Sequence, residues 1–330
     1  MIMGFGEGGG AYSCDLVSLA GLLRVCEMES VFLEGCGPDA EIESQASDDV
    51  VFCSGVANFS LRGRFALPVD WCLIGYIHHA AEGSWCHGTA LSSDMAFTVL
   101  PEGMTEFVLR AGSQVSVMLV PLPRLRKRFE ELEPHLPDIP ARSLALFTPS
   151  QAARAEELRT QFERIREHLA HTETLADGRG LRDVDVDTLL ASHLRAGLAA
   201  LPDDRPRSSR GRSTHYLVLQ RAERYMYANI RHEIYMSALC NAAGVSERAL
   251  RYAFDDLLGI SPMRYLSMLR LSTACRNLAL SDANRRSVKS VALSCGLWDL
   301  SRFADNYRRV FGELPRETLM RAPADELPLG

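Results

Sequence analysis

The 330-residue sequence has no run of about eighteen apolar residues, which excludes an ordinary transmembrane helix. It has no CxxC pair among its nine cysteines: Cys14, Cys26, Cys36, Cys53, Cys72, Cys86, Cys240, Cys275 and Cys295. An odd, scattered set in a long chain argues against a disulfide scaffold, and small buried thiols are expected instead. The opening stretch MIMGFGEGGGAYSCDL lacks a basic patch followed by an apolar run, so no signal peptide and a cytoplasmic location are expected. There is no phosphate-binding glycine loop, no clear metal-ligand set and no nucleophile paired with a base. Neither an enzyme nor a cofactor is therefore expected.

The rest is ordinary globular material, 47% hydrophobic and 24% charged, and the length predicts two or three domains. The net charge of −6 conceals an asymmetry. From Arg205 to the end there are 20 basic and 12 acidic residues, whereas the part before it has 16 and 30. A basic tail on an acidic body predicts a polyanionic partner for the tail alone.

Residues 1–30 form a Gly-rich N-terminal segment, with a short helix expected around Leu16 to Glu27. Residues 31–133 read mainly as β: VVFCSGVANFSL, WCLIGYI, AFTVL, EFVLRA and SVMLVPL are short apolar runs separated by Gly, Pro, Asn or Asp. That spacing predicts a sandwich or barrel. A short charged helix, RLRKRFEELE, follows at 124–133. Residues 134–201 contain a Pro-rich connector and then a helical hairpin. Ser150 can cap its first helix, and Leu158, Phe162, Ile165 and Leu169 form one stripe. DGRG at 177–180 breaks it, and the second helix carries Leu189, Leu190, Leu194 and Leu198. Residues 202–213, PDDRPRSSRGRS, read as a basic linker.

The last hundred residues contain a repeat. Leu250, Phe254, Gly259 and Pro262 recur 53 positions later as Phe303, Tyr307, Gly312 and Pro315. Before each copy a short helix with small residues ends at a glycine, ALCNAAG at Gly244 and SVALSCG at Gly296. A glycine tolerates the positive φ of a sharp turn. Ser246 or Asp299 can cap the helix that follows. Leu250 with Phe254, and Phe303 with Tyr307, are then core contacts four residues apart. Each unit is a helix-turn-helix, about 236–258 and about 288–311, and the continuous helix SPMRYLSMLRLSTACRNLAL joins them.

ALCNAAGVSERALRYAFDDLLGISPMRYLSMLRL and SVKSVALSCGLWDLSRFADNYRRVFGELPRE resemble the AraC/XylS-type DNA-binding domain, over residues 214–321. The resemblance implies seven helices and two recognition helices about one DNA turn apart, roughly 34 Å. It places base readers at Arg248, Arg251 and Tyr252 in the first helix and at Leu300, Ser301 and Arg302 in the second. The chain departs from the family at Asp305, where a basic or polar residue is usual, and at Asp255 and Asp256. Asp305 either weakens the second reader or pairs with Arg302 or Arg309. Trp298 reads first as a core anchor and second as a thymine-methyl contact. Ser246, Arg285, Arg286, Lys289, Arg308 and Arg309 are candidates for phosphate contact. Residues 322–330 are a tail.

Residues 52–125 resemble, more loosely, the effector-sensing barrel of the same family, with FSLRGRFALPVDWCLIGYI as the matching stretch. The implied fold is α+β: a cupin-like barrel, the helical hairpin as a dimerisation element, and the all-α double helix-turn-helix domain. Candidate effector contacts are Trp71, Tyr76, His78 and Trp85. A metal reading uses His78, His79 and His87 with Cys72 and Cys86, but no carboxylate completes it. A cyclic-dinucleotide reading uses Arg124 and Arg128 with Asn58, Ser60 and Gly63, which resemble the motif pair of PilZ receptors in reversed order.

The expected protein is thus an effector-responsive transcriptional regulator. Its partners are double-stranded DNA, a small molecule, a second copy of itself and, for an activator, RNA polymerase, with no membrane. One alternative is a regulator whose N-terminal domain only dimerises or binds a protein; the other is a cupin-type metal enzyme.

Overall fold

The computed structural model describes residues 27–34, 40–46, 50–101, 103–172, 185–200, 210–282 and 285–320. The helix expected at Leu16 to Glu27, the DGRG break, most of the basic linker and the tail lie outside them, although Glu27 itself opens a strand.

Among the described residues, ten strands make two antiparallel sheets. They are β1 Glu27–Phe32, β2 Ala40–Ala46, β3 Val51–Ala57, β4 Leu61–Ala66, β5 Trp71–His79, β6 Trp85–Cys86, β7 Thr89–Ala90, β8 Met95–Val99, β9 Thr105–Leu109 and β10 Gln114–Pro121. One sheet has the order β1-β4-β9-β6-β7 and the other β2-β3-β10-β5-β8. Among the described residues the two sheets remain open rather than closing into the expected barrel. One edge is covered by a loop residue. Residue Phe147 exchanges both backbone hydrogen bonds with Ala96 on edge strand β8, each at 2.9 Å.

Strand alternation sends the two faces of the second sheet to different cores. Leu73 and Leu119 face the first sheet, while Cys72, Ile74, Tyr76, Met118 and Val120 face a layer of helices. Two glycines allow aromatic rings to lie flat on the strands. A Cβ on Gly63 would stand 2.2 Å from the Phe107 ring, and one on Gly75 would stand 2.2 Å from Phe97.

The helical layer comprises α1 Leu122–Leu132, α2 Ala141–Leu144, α3 Ala152–Thr172 and α4 Val186–Ala199. Leu158, Phe162 and Ile165 on α3 and Leu189, Leu190 and Leu194 on α4 are all buried in one core with the sheet. Phe162 stacks on Tyr76 at 5.9 Å. The stripe expected to pair two copies is therefore filled within the chain. Ser150 does not cap α3 as expected. Its hydroxyl donates to Ala199 O at 3.0 Å, and Gln151 O receives the first helical amides.

The C-terminal third is helical: α5 Arg210–Ala228, α6 Met236–Ala243, α7 Glu247–Leu258, α8 Pro262–Ala279, α9 Val288–Ser294, α10 Leu300–Phe311 and α11 Pro315–Met320. These are the seven helices expected, and α5 begins at Arg210, inside the stretch read as linker. The apolar core of this third is continuous with that of the first sheet. Among the described residues no helix is long and apolar enough to cross a membrane.

Candidate nucleic-acid interface

Helices α6 and α7 form the first helix-turn-helix. Gly244 closes α6 with φ +71°, and the Ser246 hydroxyl accepts from Ala249 N at 3.3 Å to start α7. Leu250, Ala253, Phe254, Leu257 and Leu258 turn inward, and Phe254 meets the Tyr265 ring at 5.7 Å. The second unit repeats the design in α9 and α10. Ser287 and Ser290 make a reciprocal capping box, Gly296 turns with φ +74°, and the Asp299 carboxylate accepts from Arg302 N at 3.1 Å. Phe303, Tyr307 and Phe311 meet edge to face in sequence at 5.5 and 4.5 Å, and the Tyr307 hydroxyl meets Thr318 Oγ1 at 2.7 Å.

The opposite faces reach solvent. Arg248, Arg251 and Tyr252 are exposed on α7, as are Ser301, Arg302 and Asp305 on α10, with Leu300 half-buried. The Arg248 guanidinium lies over the Tyr252 ring, 5.5 Å from its centroid. Arg251 donates twice to Glu247 Oε1, at 3.0 and 2.7 Å, so its fork is held before any ligand arrives. Asp305 does not take up the pairing considered for it: Arg302 lies 3.4 Å from Asp299, and Arg309 donates to Asn306 at 2.6 Å. Trp298 is not a core anchor, being 60% exposed in the second turn. Asp256 pairs with His215 at 2.8 Å. Arg285, Arg286, Lys289, Arg308 and Arg309 are all exposed. Arg285, Arg286 and Lys289 lie around the start of α9, whose free amides favour anions, whereas Arg308 and Arg309 lie in the last turn of α10.

Sequence reasoning missed how firmly the first sheet joins this domain. Arg62 is fully buried and donates to Glu223 at 3.1 and 2.8 Å and to Glu106 at 3.1 Å. Burial opposes its charge, but Glu223, with Glu106 behind it, outweighs that and raises its pKa. Burial also opposes ionisation of Glu106, yet Arg62 and hydrogen bonds from Tyr216 (2.6 Å) and Gln220 (3.2 Å) hold its carboxyl below the usual range. The Tyr265 hydroxyl donates to Glu223, and burial followed by that carboxylate pushes the phenol well up. No sequence signal links Arg62 to Glu223, 161 positions away.

Beside this network is a cavity of about 230 Å³, lined by Glu29, Arg64, Glu106, Gln220, Glu223, Arg224 and Tyr227. Arg64 lies 4.8 Å over Tyr227 and 3.8 Å from Glu29, but its Nε and Glu29 Oε2 are buried without a hydrogen-bond partner.

The candidate effector residues do not gather in one place. Trp85 donates its indole N–H to Leu257 O at 2.8 Å. Tyr76 donates to Asp94 at 2.8 Å, and His78 Nε2 is 2.8 Å from Ser116 Oγ, on the face toward the helical layer. Trp71 is half-buried at the start of β5. Arg124 and Arg128 hold α4, through the Asp187 carboxylate at 2.9 Å and the Asp187 carbonyl at 3.2 Å. Asn58 is exposed, Ser60 bonds Glu34, and Gly63 lies under Phe107. His87 meets the Tyr216 hydroxyl at 3.2 Å, away from His78 in role and partner. Among the described residues no group of three or more His, Cys, Asp or Glu could hold a metal.

Comparison with known proteins agrees with the two-unit geometry. A family described as a helix-turn-helix domain matches residues 239–321. Over 115 residues the chain is 34% identical to the XylDLEGF operon transcriptional activator 1 of Pseudomonas putida, covering 33% of this chain and 35% of that protein. Over 140 residues it is 31% identical to the probable thc operon regulatory protein of Rhodococcus erythropolis, covering 42% of each. A solved structure of a probable AraC family transcriptional regulator from Rhodopseudomonas palustris CGA009 is 37% identical over 32% of this chain and 98% of that one, with a TM-score of 0.30. The chain thus spans about a third of the length of the Pseudomonas relatives, 35% in each of two cases. The C-terminal part of the chain, over residues 239–321, is thus a helix-turn-helix domain of the AraC/XylS type.

Proposed function

We propose that the protein regulates transcription by binding two successive major-groove segments of double-stranded DNA, under the control of a small molecule. The observation that carries this is the pair of capped recognition helices whose Arg248, Arg251, Ser301 and Arg302 are exposed while their opposite faces fill one core. Arg248 and Arg251 supply guanidinium forks that suit O6 and N7 of guanine. Ser301 and Arg302 read the second segment, and Asp305 restricts that segment to bases offering a donor, such as cytosine. Ser246, Arg285, Arg286, Lys289, Arg308 and Arg309 neutralise or cap phosphates.

The two-sheet domain is the sensor in this reading. The cavity between the first sheet and α5 is its effector site, and the charged groups of both signs around it favour a polar molecule over a hydrocarbon. An effector held by residues of both domains shifts the population of their arrangements. A cyclic-dinucleotide site at Arg124 and Arg128 would require those arginines to leave Asp187. Self-association would use a surface other than the α3–α4 stripe, and as an activator the protein would also meet RNA polymerase.

Footprinting on DNA upstream of the protein's own gene and its neighbours tests the DNA reading. Two protected patches one helical turn apart are expected. No protection of any fragment at low salt contradicts it.

A further inference from the structure

The first sheet reaches the C-terminal ends of both recognition helices. The last carbonyls of a helix have no partner within it. In α7, two of them are taken by the sheet. Trp85 of β6, fully buried, donates to Leu257 O at 2.8 Å. Arg110, just beyond β9, donates to Leu258 O at 3.0 Å and to Leu257 O at 3.4 Å. Its charge also suits the negative end of the helix dipole. Gly259, which closes α7 with φ +68°, lies 3.4 Å from that guanidinium at the position a Cβ would occupy. In α10 the contact is apolar. Phe32 of β1 meets Phe311, the last residue of α10, at 5.8 Å, with Phe59 edge-on to Phe32 at 4.8 Å. The N-terminal turns of both helices, with Arg248, Arg251, Ser301 and Arg302, are left to solvent.

Resting on the DNA-binding reading above, we propose that Trp85, Arg110 and Phe32 are positioning residues that set the separation of the two recognition helices. The sheet then works as a gauge for the distance between two DNA half-sites. One sheet holds both readers by their rear ends. The intervening α8 is therefore not the sole fixed link between them. A rigid link between two binding modules gives a high effective concentration only when the sites match its span; a looser one spreads its tolerance over neighbouring spans. The gauge also gives the sensor a route to the DNA, because displacement of β6, β9 or β1 moves a reader directly.

The test is to let wild-type full-length protein select its DNA from a random pool and to measure affinity for that site. Affinity is then measured for versions with one base pair inserted or removed between the half-sites. Trp85→Phe combined with Arg110→Met removes the bonds to α7 while keeping ring and stem, and Phe32→Leu loosens α10. The wild type should lose at least about tenfold in affinity on a one-base-pair change, about 1.4 kcal/mol. In the double variant that penalty should shrink to about threefold or less, and Arg110→Lys with Trp85 intact should restore most of it. Trp85→Phe alone gives a milder version of the same loss of discrimination, readable if the double variant does not fold. An equal spacing penalty in wild type and variants, or none in the wild type, overturns the gauge alone. A wild type that selects no DNA overturns the regulatory reading as well.

Discussion

Arg251 on α7 and Arg308 on α10 are both exposed arginines, yet they should fail differently. Arg251 is oriented by Glu247 from the first turn of α7, where a fork can reach a base edge. Arg308 sits in the last turn of α10, beyond the reach expected for base contact. Arg251→Ala is expected to relax preference at one base position by about 1–3 kcal/mol. Arg308→Ala is expected to weaken all sequences alike and to reduce the salt slope by about 1. Affinities for single-base variants of a selected site, measured at several salt concentrations, separate the two outcomes. A second residue-scale test concerns His193, fully buried against Thr98 at 2.8 Å, with its pKa pushed down by burial to about 3. Below about pH 6.5 the unfolded chain takes up a proton that folded His193 refuses, so stability falls as pH drops from there toward 3. The slope due to this one group approaches about 1.4 kcal/mol per pH unit. In His193→Gln, urea unfolding between pH 6 and 4 should be less steep in pH by that amount.

At the scale of elements, the two turns of the helix-turn-helix units look alike in sequence and differ in their surroundings. Gly244 and Gly296 both have positive φ, which costs a residue with a Cβ about 1–2 kcal/mol. A Cβ on Gly244 would find its nearest neighbour, Arg221, at 3.9 Å, whereas one on Gly296 would meet the backbone oxygen of Ile230 at 2.4 Å. Gly296→Ala should therefore lower stability well beyond Gly244→Ala in thermal or urea unfolding, and equal losses would contradict that assignment of space. The same elements show what a sequence can reveal. Helices α6 to α10 were legible because their signals are local: a serine or aspartate cap, a glycine stop, and apolar residues every three or four positions. The expected reader positions came from the resemblance to the AraC/XylS-type domain, on the faces that this periodicity leaves free. Strand runs were legible as runs, but which strand pairs with which depends on partners far along the chain, and whether the sheets close is not written locally. The α3–α4 stripe illustrates the limit. Its apolar face is the same whether it meets a second copy or, as here, the chain's own sheet.

On the scale of the whole molecule, the two-sheet part and the helix-turn-helix part share a core and a buried ionic network. The Trp85–Leu257 bond spans 172 positions and the Arg62–Glu223 pair 161, which is why neither was readable beforehand. Arg62→Met keeps the bulk of the stem but leaves Glu106 and Glu223 buried without their cation. A loss of about 3–5 kcal/mol in urea unfolding is expected. Mild acid should act on the same joint. Glu106 is held below its ordinary value of 4.5 in the folded state, so its contribution is present above that pH and is lost as pH falls through its lowered folded value. Loosening of the two parts should then precede loss of helix content, as read by limited proteolysis alongside circular dichroism.

The central claim is that the exposed faces of α7 and α10 read DNA together. Its most direct measurement is footprinting of the full-length protein on a DNA site that it has itself selected, beside the Arg251→Ala variant. The account predicts two protected major-groove segments about one turn, roughly 34 Å, apart. It also predicts that Arg251→Ala loses base preference within one segment only. Protection of a single segment, equal loss at both, or no selected site would contradict it.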